Sequence, residues 1–217
     1  MEQVAVIGLG RFGFHVAKEL HLAGHDVLAI DIDAGHVQRI KDFSSRAVVL
    51  DARDRQRLEE LGIRDFNTVV VSLGERIDAS AIIALHLREL GIRRIITKAG
   101  SEDHAKLLDL IGVHEVISPE REAAERLAHR LASSNILDFI PMDEEFSVHE
   151  IAPPQSFIGK TLEELRLRNR FGVQVLGVRD VLTQHLHVNP DAGFRVKDSD
   201  SLLVLGRNQD LDRLDKA

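Results

Sequence analysis

Val4-Ala5-Val6-Ile7-Gly8-Leu9-Gly10-Arg11-Phe12-Gly13 is the stretch on which the reading of this chain turns. Its four leading apolar residues suit a short strand buried on both faces. The G-x-G-x-x-G that follows opens a helical pattern, with Val16, Ala17 and Leu20 at helical spacing. A second apolar run, Val27-Leu28-Ala29-Ile30, ends in Asp31, 18 positions past Gly13. Three glycines alone are weak evidence, but strand, helix and acid together make a dinucleotide-binding fingerprint. Gly8 permits the tight turn, Gly10 lets backbone approach a pyrophosphate, and Gly13 lets the helix pack on the strand. The helix start offers free N–H groups and a positive dipole end to phosphates. Asp31 can accept hydrogen bonds from ribose hydroxyls, and its charge disfavours a 2′-phosphate. The plain alternative is a glycine-rich turn without a ligand.

Outward from this stretch, strands are expected at 4–7, 27–30, 47–50, 69–73, 95–97 and 115–117. Helical patterns separate them, and four of those patterns close on a glycine: Gly24, Gly62, Gly91 and Gly112. This alternation predicts an α/β fold, a Rossmann-like doubly wound parallel sheet in the order 3-2-1-4-5-6. Ligands of such sheets bind at the carboxyl edge where the order reverses. The candidate binding residues are therefore Gly8, Gly10, Arg11, Phe12, Gly13, Asp31, Ile32, Asp33, Asp51, Ala52, Leu73, Gly74 and Lys98. Arg11 stands in the first helical turn, where a guanidinium can face phosphate charge; an exposed surface charge is the alternative. Asp51 follows the third strand, where an adenine ring could lie, although Asp51 and Asp54 could equally cap a helix. Lys98 could neutralise a phosphate or be a solvated loop lysine.

Ser118-Pro119-Glu120 opens a long helix running to about Ser133, with proline at its favoured first position. Ala124, Leu127, Ala128 and Leu131 form a narrow apolar stripe that suits close packing on another helix, such as one of a second subunit, or else packing on the chain's own sheet. Glu120 would interact favourably with the helix dipole. A boundary is expected near Asn135–Met142, and a smaller α+β module follows. Its expected strands are 146–151, 173–178, 194–196 and 201–205, with Thr161 and Glu164 as a capping box for a helix over 162–169. The expected domains are 1–118 (nucleotide-binding), 119–140 (crossover helix and linker, for dimerisation) and 141–217 (α+β).

Composition narrows the classes. The 217 residues are 44% apolar and 29% charged, as in an ordinary globular protein. No apolar run approaches the roughly 20 residues needed to span a bilayer. Met1-Glu2-Gln3 lacks a basic n-region, so no secretory leader is expected. The absence of cysteine removes disulfides, thiolate catalysis and Cys-ligated zinc. A net charge of −7 argues against a nucleic-acid surface.

With both halves read, the chain resembles bacterial RCK (regulator of conductance of potassium) proteins of the KtrA/TrkA type. The resemblance is carried by Val4–Gly13, Gly24-His25, Asp31-Ile32-Asp33 and Pro119-Glu120, and by the C-terminal module, which is similar to the RCK C-terminal subdomain. It implies a cytoplasmic, non-catalytic gating subunit of a potassium uptake channel. Such a subunit is peripheral to the inner face of the membrane through a pore subunit of the KtrB/TrkH type. It implies homodimers assembled into an octameric ring, and adenine nucleotides as ligands: ATP and ADP in KtrA relatives, NAD and NADH in TrkA relatives. Arg11 matches an arginine that reaches the γ-phosphate in the neighbouring subunit. Glu120 matches an acid implicated in binding a divalent cation, Mg²⁺ or Ca²⁺, at the dimer interface. Some relatives bind cyclic di-AMP in the C-terminal subdomain, near Arg168 and Asn169, but Asp180 stands where a basic residue or histidine is expected. The closer KtrA-like phrase favours ATP/ADP over NADH.

Two other classes are open to a nucleotide fold. An NAD-dependent dehydrogenase would need an acid–base constellation that the small second domain lacks. His185 and His187 would share one strand face without an evident third metal ligand. A redox-sensing DNA-binding repressor would need a basic helix-turn-helix, for which the acidic chain, starting at its first strand, leaves no expected room.

Overall fold

The computed structural model describes residues 2–132 and 135–215. The chain divides into two compact units, Met1–Pro119 and Glu120–Ala217.

The first unit is a six-stranded parallel sheet. Its strands are β1 (Gln3–Ile7), β2 (Asp26–Asp31), β3 (Arg46–Val49), β4 (Thr68–Val71), β5 (Arg94–Lys98) and β6 (Glu115–Ile117), in the order β3-β2-β1-β4-β5-β6. The order is the expected one. The helices are α1 (Arg11–Leu22), α2 (Ala34–Ile40), α3 (Arg55–Glu60), α4 (Ile77–Glu89) and α5 (Glu102–Ile111). The continuous apolar runs explain why both faces are covered. Successive strand residues point to opposite sides. Ala5, Ile7, Leu28, Ile30, Val69 and Val71 join one core with Leu58 of α3 and Ile83 and Leu87 of α4. Val4, Val6, Val27, Ala29 and Val70 join another with Ala17 of α1 and Ile40 of α2. Each fully buried aliphatic side chain contributes roughly 1.5–3 kcal/mol, so neither face could be left to solvent. β4 ends at Val71, two residues earlier than expected: the Ser72 N–H still reaches the Ile7 carbonyl at 2.7 Å, and the chain then turns at Gly74.

The second unit starts with the long helix α6 (Pro119–Ala132), which has no buried residue. Ser133, its expected end, lies outside the described residues. An antiparallel sheet follows, made of β7 (Ile136–Pro141), β8 (Phe146–Ile151), β9 (Gln174–Asp180), β10 (Leu186–Val188) and β11 (Asp200–Arg207), in the order β10-β9-β11-β8-β7. One of its faces is packed by α7 (Leu162–Leu165), α8 (Leu167–Phe171) and α9 (Asn208–Asp215) around Phe157, Val178, Leu202, Val204 and Leu211.

Three local expectations are corrected here. Residues 136–141, read as a boundary, form the edge strand β7. The expected strand 194–196 forms no strand: Arg195 makes a single bridge to Thr161, although Val196 is buried. The capping box is present, with Thr161 Oγ1 accepting the Glu164 N–H at 3.2 Å and Glu164 Oε2 accepting the Thr161 N–H at 2.7 Å. The helix it starts does not run to 169 but breaks at Arg166, whose φ is +47°. Leu165 and Leu167 are both buried. Two positions apart on one helix they would face opposite sides, and the left-handed residue between them turns both into the core.

Candidate nucleotide-binding site

The glycine turn links β1 to α1 at the carboxyl edge of the sheet. Gly8 has φ +91°, and a Cβ there would meet the Ser72 carbonyl oxygen at 2.3 Å. At Gly13 a Cβ would lie 1.9 Å from the Gly8 carbonyl oxygen. Both close approaches admit only glycine. Gly10 differs: a Cβ there would meet nothing within 4 Å. It is also the residue before α1, with no side chain capping the helix. The turn therefore packs tightly on one side and leaves open backbone at the helix start, as a phosphate requires. Arg11 and Phe12 form the first turn of α1, Arg11 exposed and Phe12 half-buried.

Asp31 ends β2 beside this turn. Its Oδ2 accepts the Leu9 N–H at 2.6 Å, and its Oδ1 accepts the Asp33 N–H at 2.9 Å. His36 Nδ1 lies 3.1 Å from Oδ2. A carboxylate has about four acceptor positions, so one remains for a ribose hydroxyl beside these three contacts. Asp33 caps α2, accepting the N–H groups of Gly35 at 2.7 Å and His36 at 3.1 Å. These bonds, His36's first, hold its carboxyl below the usual carboxylate range.

A small cleft between the strand ends is lined by Ile7, Gly8, Asp31, Ile32, Leu50, Asp51, Ala52, Arg53, Leu73, Arg76, Ala79 and Ile83. Its floor is aliphatic and its rim charged. The sequence-derived residues Gly8, Asp31, Ile32, Asp51, Ala52 and Leu73 thus meet around one space. Gly74, with φ +62°, follows Leu73. Lys98 ends β5 and does not line the cleft. Asp51 is bound by Arg53, whose Nη2 donates to Oδ2 at 2.6 Å and whose Nε donates to Oδ1 at 3.0 Å. That pairing holds the Asp51 carboxyl down at about 2. Asp54 caps α3, accepting the Arg57 N–H at 3.2 Å. Sequence reasoning missed Arg53, Arg76 and His36. The only signal was an arginine two residues past Asp51; nothing marked Arg76 or His36.

The second unit carries a larger groove of about 630 Å³, lined by Leu162, Glu163, Arg166, Leu167, Arg168, Asn169, Val173, Gln174, Val175, Pro190 and Ala192. It is remote in sequence from the glycine turn, and its size does not make it the nucleotide site. Arg168 and Asn169 line it. Asp180 does not; its Oδ1 accepts the N–H groups of Leu182 and Thr183 in a turn. Glu120 is exposed in the first turn of α6. Among the described residues no three His, Cys, Asp or Glu side chains gather to hold a metal ion. Among them, too, no helix is long and apolar enough to cross a membrane.

The TrkA-N domain family matches residues 4–119 and the TrkA-C domain family residues 147–217. The chain is 37% identical over 215 residues to Ktr system potassium uptake protein C of Bacillus subtilis (strain 168), covering 99% of this chain and 96% of the relative. The chain belongs to the TrkA/Ktr family of potassium-uptake proteins. This TrkA/Ktr chain is also 33% identical over 205 residues to Ktr system potassium uptake protein A of Vibrio alginolyticus, covering 94% and 92% of the two. Among solved structures, the GsuK RCK domain superposes with a TM-score of 0.70 at 19% identity, over 99% of this chain and 47% of that one. The GsuK channel bound to NAD gives 0.67 at 19% identity, over 98% and 38%. The TrkA/Ktr chain thus spans less than half of either structure, and at that identity they establish its RCK fold alone.

Proposed function

We propose that this protein is a non-catalytic, nucleotide-sensing regulatory subunit of a potassium uptake system. The observation that carries the reading is the open backbone at Gly10 beside the Asp31 carboxylate, at the point where the strand order reverses. ATP and ADP are the ligands; NAD or NADH is the second reading, because Asp31 serves any adenosine ribose. Arg11 provides the differential contact, since ATP carries one more phosphoryl group than ADP. A ligand moves a conformational equilibrium only through such a difference in affinity.

The regulatory subunit works on a membrane-embedded potassium pore subunit from the cytoplasmic face. It acts as a homodimer assembled into an octameric ring. The exposure of Leu127 and Leu131 on α6 supports a subunit contact along that helix. Glu120 takes part in holding a divalent cation whose remaining donors come from outside this chain. The groove at Arg168 and Asn169 is of a size and polarity to take a cyclic dinucleotide such as cyclic di-AMP.

Calorimetric titration with ATP, ADP, NADH and NAD, each with and without Mg²⁺ or Ca²⁺, tests the reading. Adenine-nucleotide binding enhanced by the cation only for ATP, and losing that enhancement in Glu120→Gln, is the expected result. Preference for NADH would transfer the protein to the second reading. No binding of any of the four would end both.

A further inference from the structure

Asp31 is held from three sides, by the N–H groups of Leu9 and Asp33 and by the His36 ring. The Asp31 side chain is 11% exposed, whereas that of His36 is 36% exposed. The imidazole is therefore the more exposed partner of a carboxylate that also accepts the Leu9 N–H of the glycine turn. We propose that His36 is part of the nucleotide site, the residue that sets how much negative charge Asp31 presents beside the phosphates. The inference rests on the nucleotide reading above.

The reasoning is electrostatic. With His36 neutral, an ionised Asp31 lies 2.6 Å from the Leu9 N–H, inside the turn that has to receive phosphate. Like charges brought together there oppose binding. With His36 protonated, the two side chains form an ion pair and the opposing charge is cancelled. About one acceptor position of Asp31 is left for the ribose. His36 faces Asp31 of β2, and its N–H is held by Asp33, which also feels the charge of Arg39 on the same helix. The apolar side chains of Phe14, Val37 and Ala47 pack in the core between α1, α2 and β3, and Arg39 lies over the Phe14 ring.

The inference predicts that phosphate-bearing ligands bind more tightly as pH falls from about 8 to about 6, the range in which imidazole is the side chain type that gains a proton. ADP-ribose is the suitable probe, because its pyrophosphate is fully ionised throughout that range. Adenosine is the control, having the same ribose and base without phosphate. Calorimetry on the full chain and on His36→Gln at both pH values is the experiment. ADP-ribose is expected to bind the unmodified protein several-fold more tightly at the lower pH, with adenosine changing less than ADP-ribose and the gain absent in His36→Gln. A flat ADP-ribose response in the unmodified protein would overturn the inference without recourse to the variant. So would an unchanged gain in His36→Gln, or an equal gain for adenosine. Failure of ATP, ADP, NAD and ADP-ribose to bind at either pH would instead remove the nucleotide reading itself.

Discussion

A Cβ added to Gly13 would stand 1.9 Å from the carbonyl oxygen of Gly8. These two glycines lock α1 onto the end of β1, and neither can be replaced without moving backbone. Gly13→Ala is expected to lower stability by about 1–3 kcal/mol or more, the cost of forcing atoms into a packed site. Gly10→Ala has room for its methyl group and a φ of −62°, so its unfolding midpoint should barely change. That methyl group would nonetheless occupy the approach of a phosphate. Thermal unfolding beside ADP calorimetry separates the two variants: stability lost in one, affinity lost in the other. Equal affinity in Gly10→Ala would argue that phosphate does not approach this turn.

Arg11 is the first residue of α1 and is exposed in the single chain. Arg11→Ala is expected to bring the ATP and ADP dissociation constants together while ADP binding is retained. A charge-assisted contact to one phosphoryl group is worth roughly 1.5–3 kcal/mol, or about a factor of 10 to 150 in preference. Parallel loss of both ligands would mean that Arg11 supports the turn rather than reading the third phosphate.

Leu127 is 49% and Leu131 78% exposed on a helix that buries nothing. Two large apolar side chains four positions apart lie on the same helix face. Leu127→Glu with Leu131→Glu should shift the protein to smaller species in light scattering while leaving the unfolding transition of the first unit in place. An unaltered assembly size would remove α6 from the subunit contact.

Much of this was legible in the sequence, for identifiable reasons. Strands buried on both faces must be apolar throughout, so Val4–Ile7 and Val27–Ile30 announced themselves, and their glycine-closed helices fixed the alternation. β7 was not legible because an edge strand tolerates Asp138 and Pro141, residues that otherwise signal a turn. The break at Arg166 was hidden because Leu165 and Leu167 satisfy neither a helical nor an extended pattern without knowing where the core lies. At the site, Gly8, Asp31 and Asp51 were legible from strand ends, whereas His36, Arg53 and Arg76 were not. A charged side chain near a sheet edge does not reveal its partner until the chain folds.

The Asp51 carboxyl is held at about 2, first by the Arg53 side chain. The sign of its pH effect follows from a pKa lower in the folded state than its usual value of 3.8. The pair adds stability above the unfolded value, and that contribution is lost as pH falls from about 4 through about 2. Arg53 and Asp51 are 46% and 33% exposed, so solvent screens the pair and keeps its contribution small. Arg53→Ala is therefore expected to lower the urea midpoint only slightly at pH 7, a gap that narrows once the pH falls below about 4. A gap that stayed constant on acidification would show that Arg53 stabilises the cleft by packing on its rim and not through the Asp51 charge.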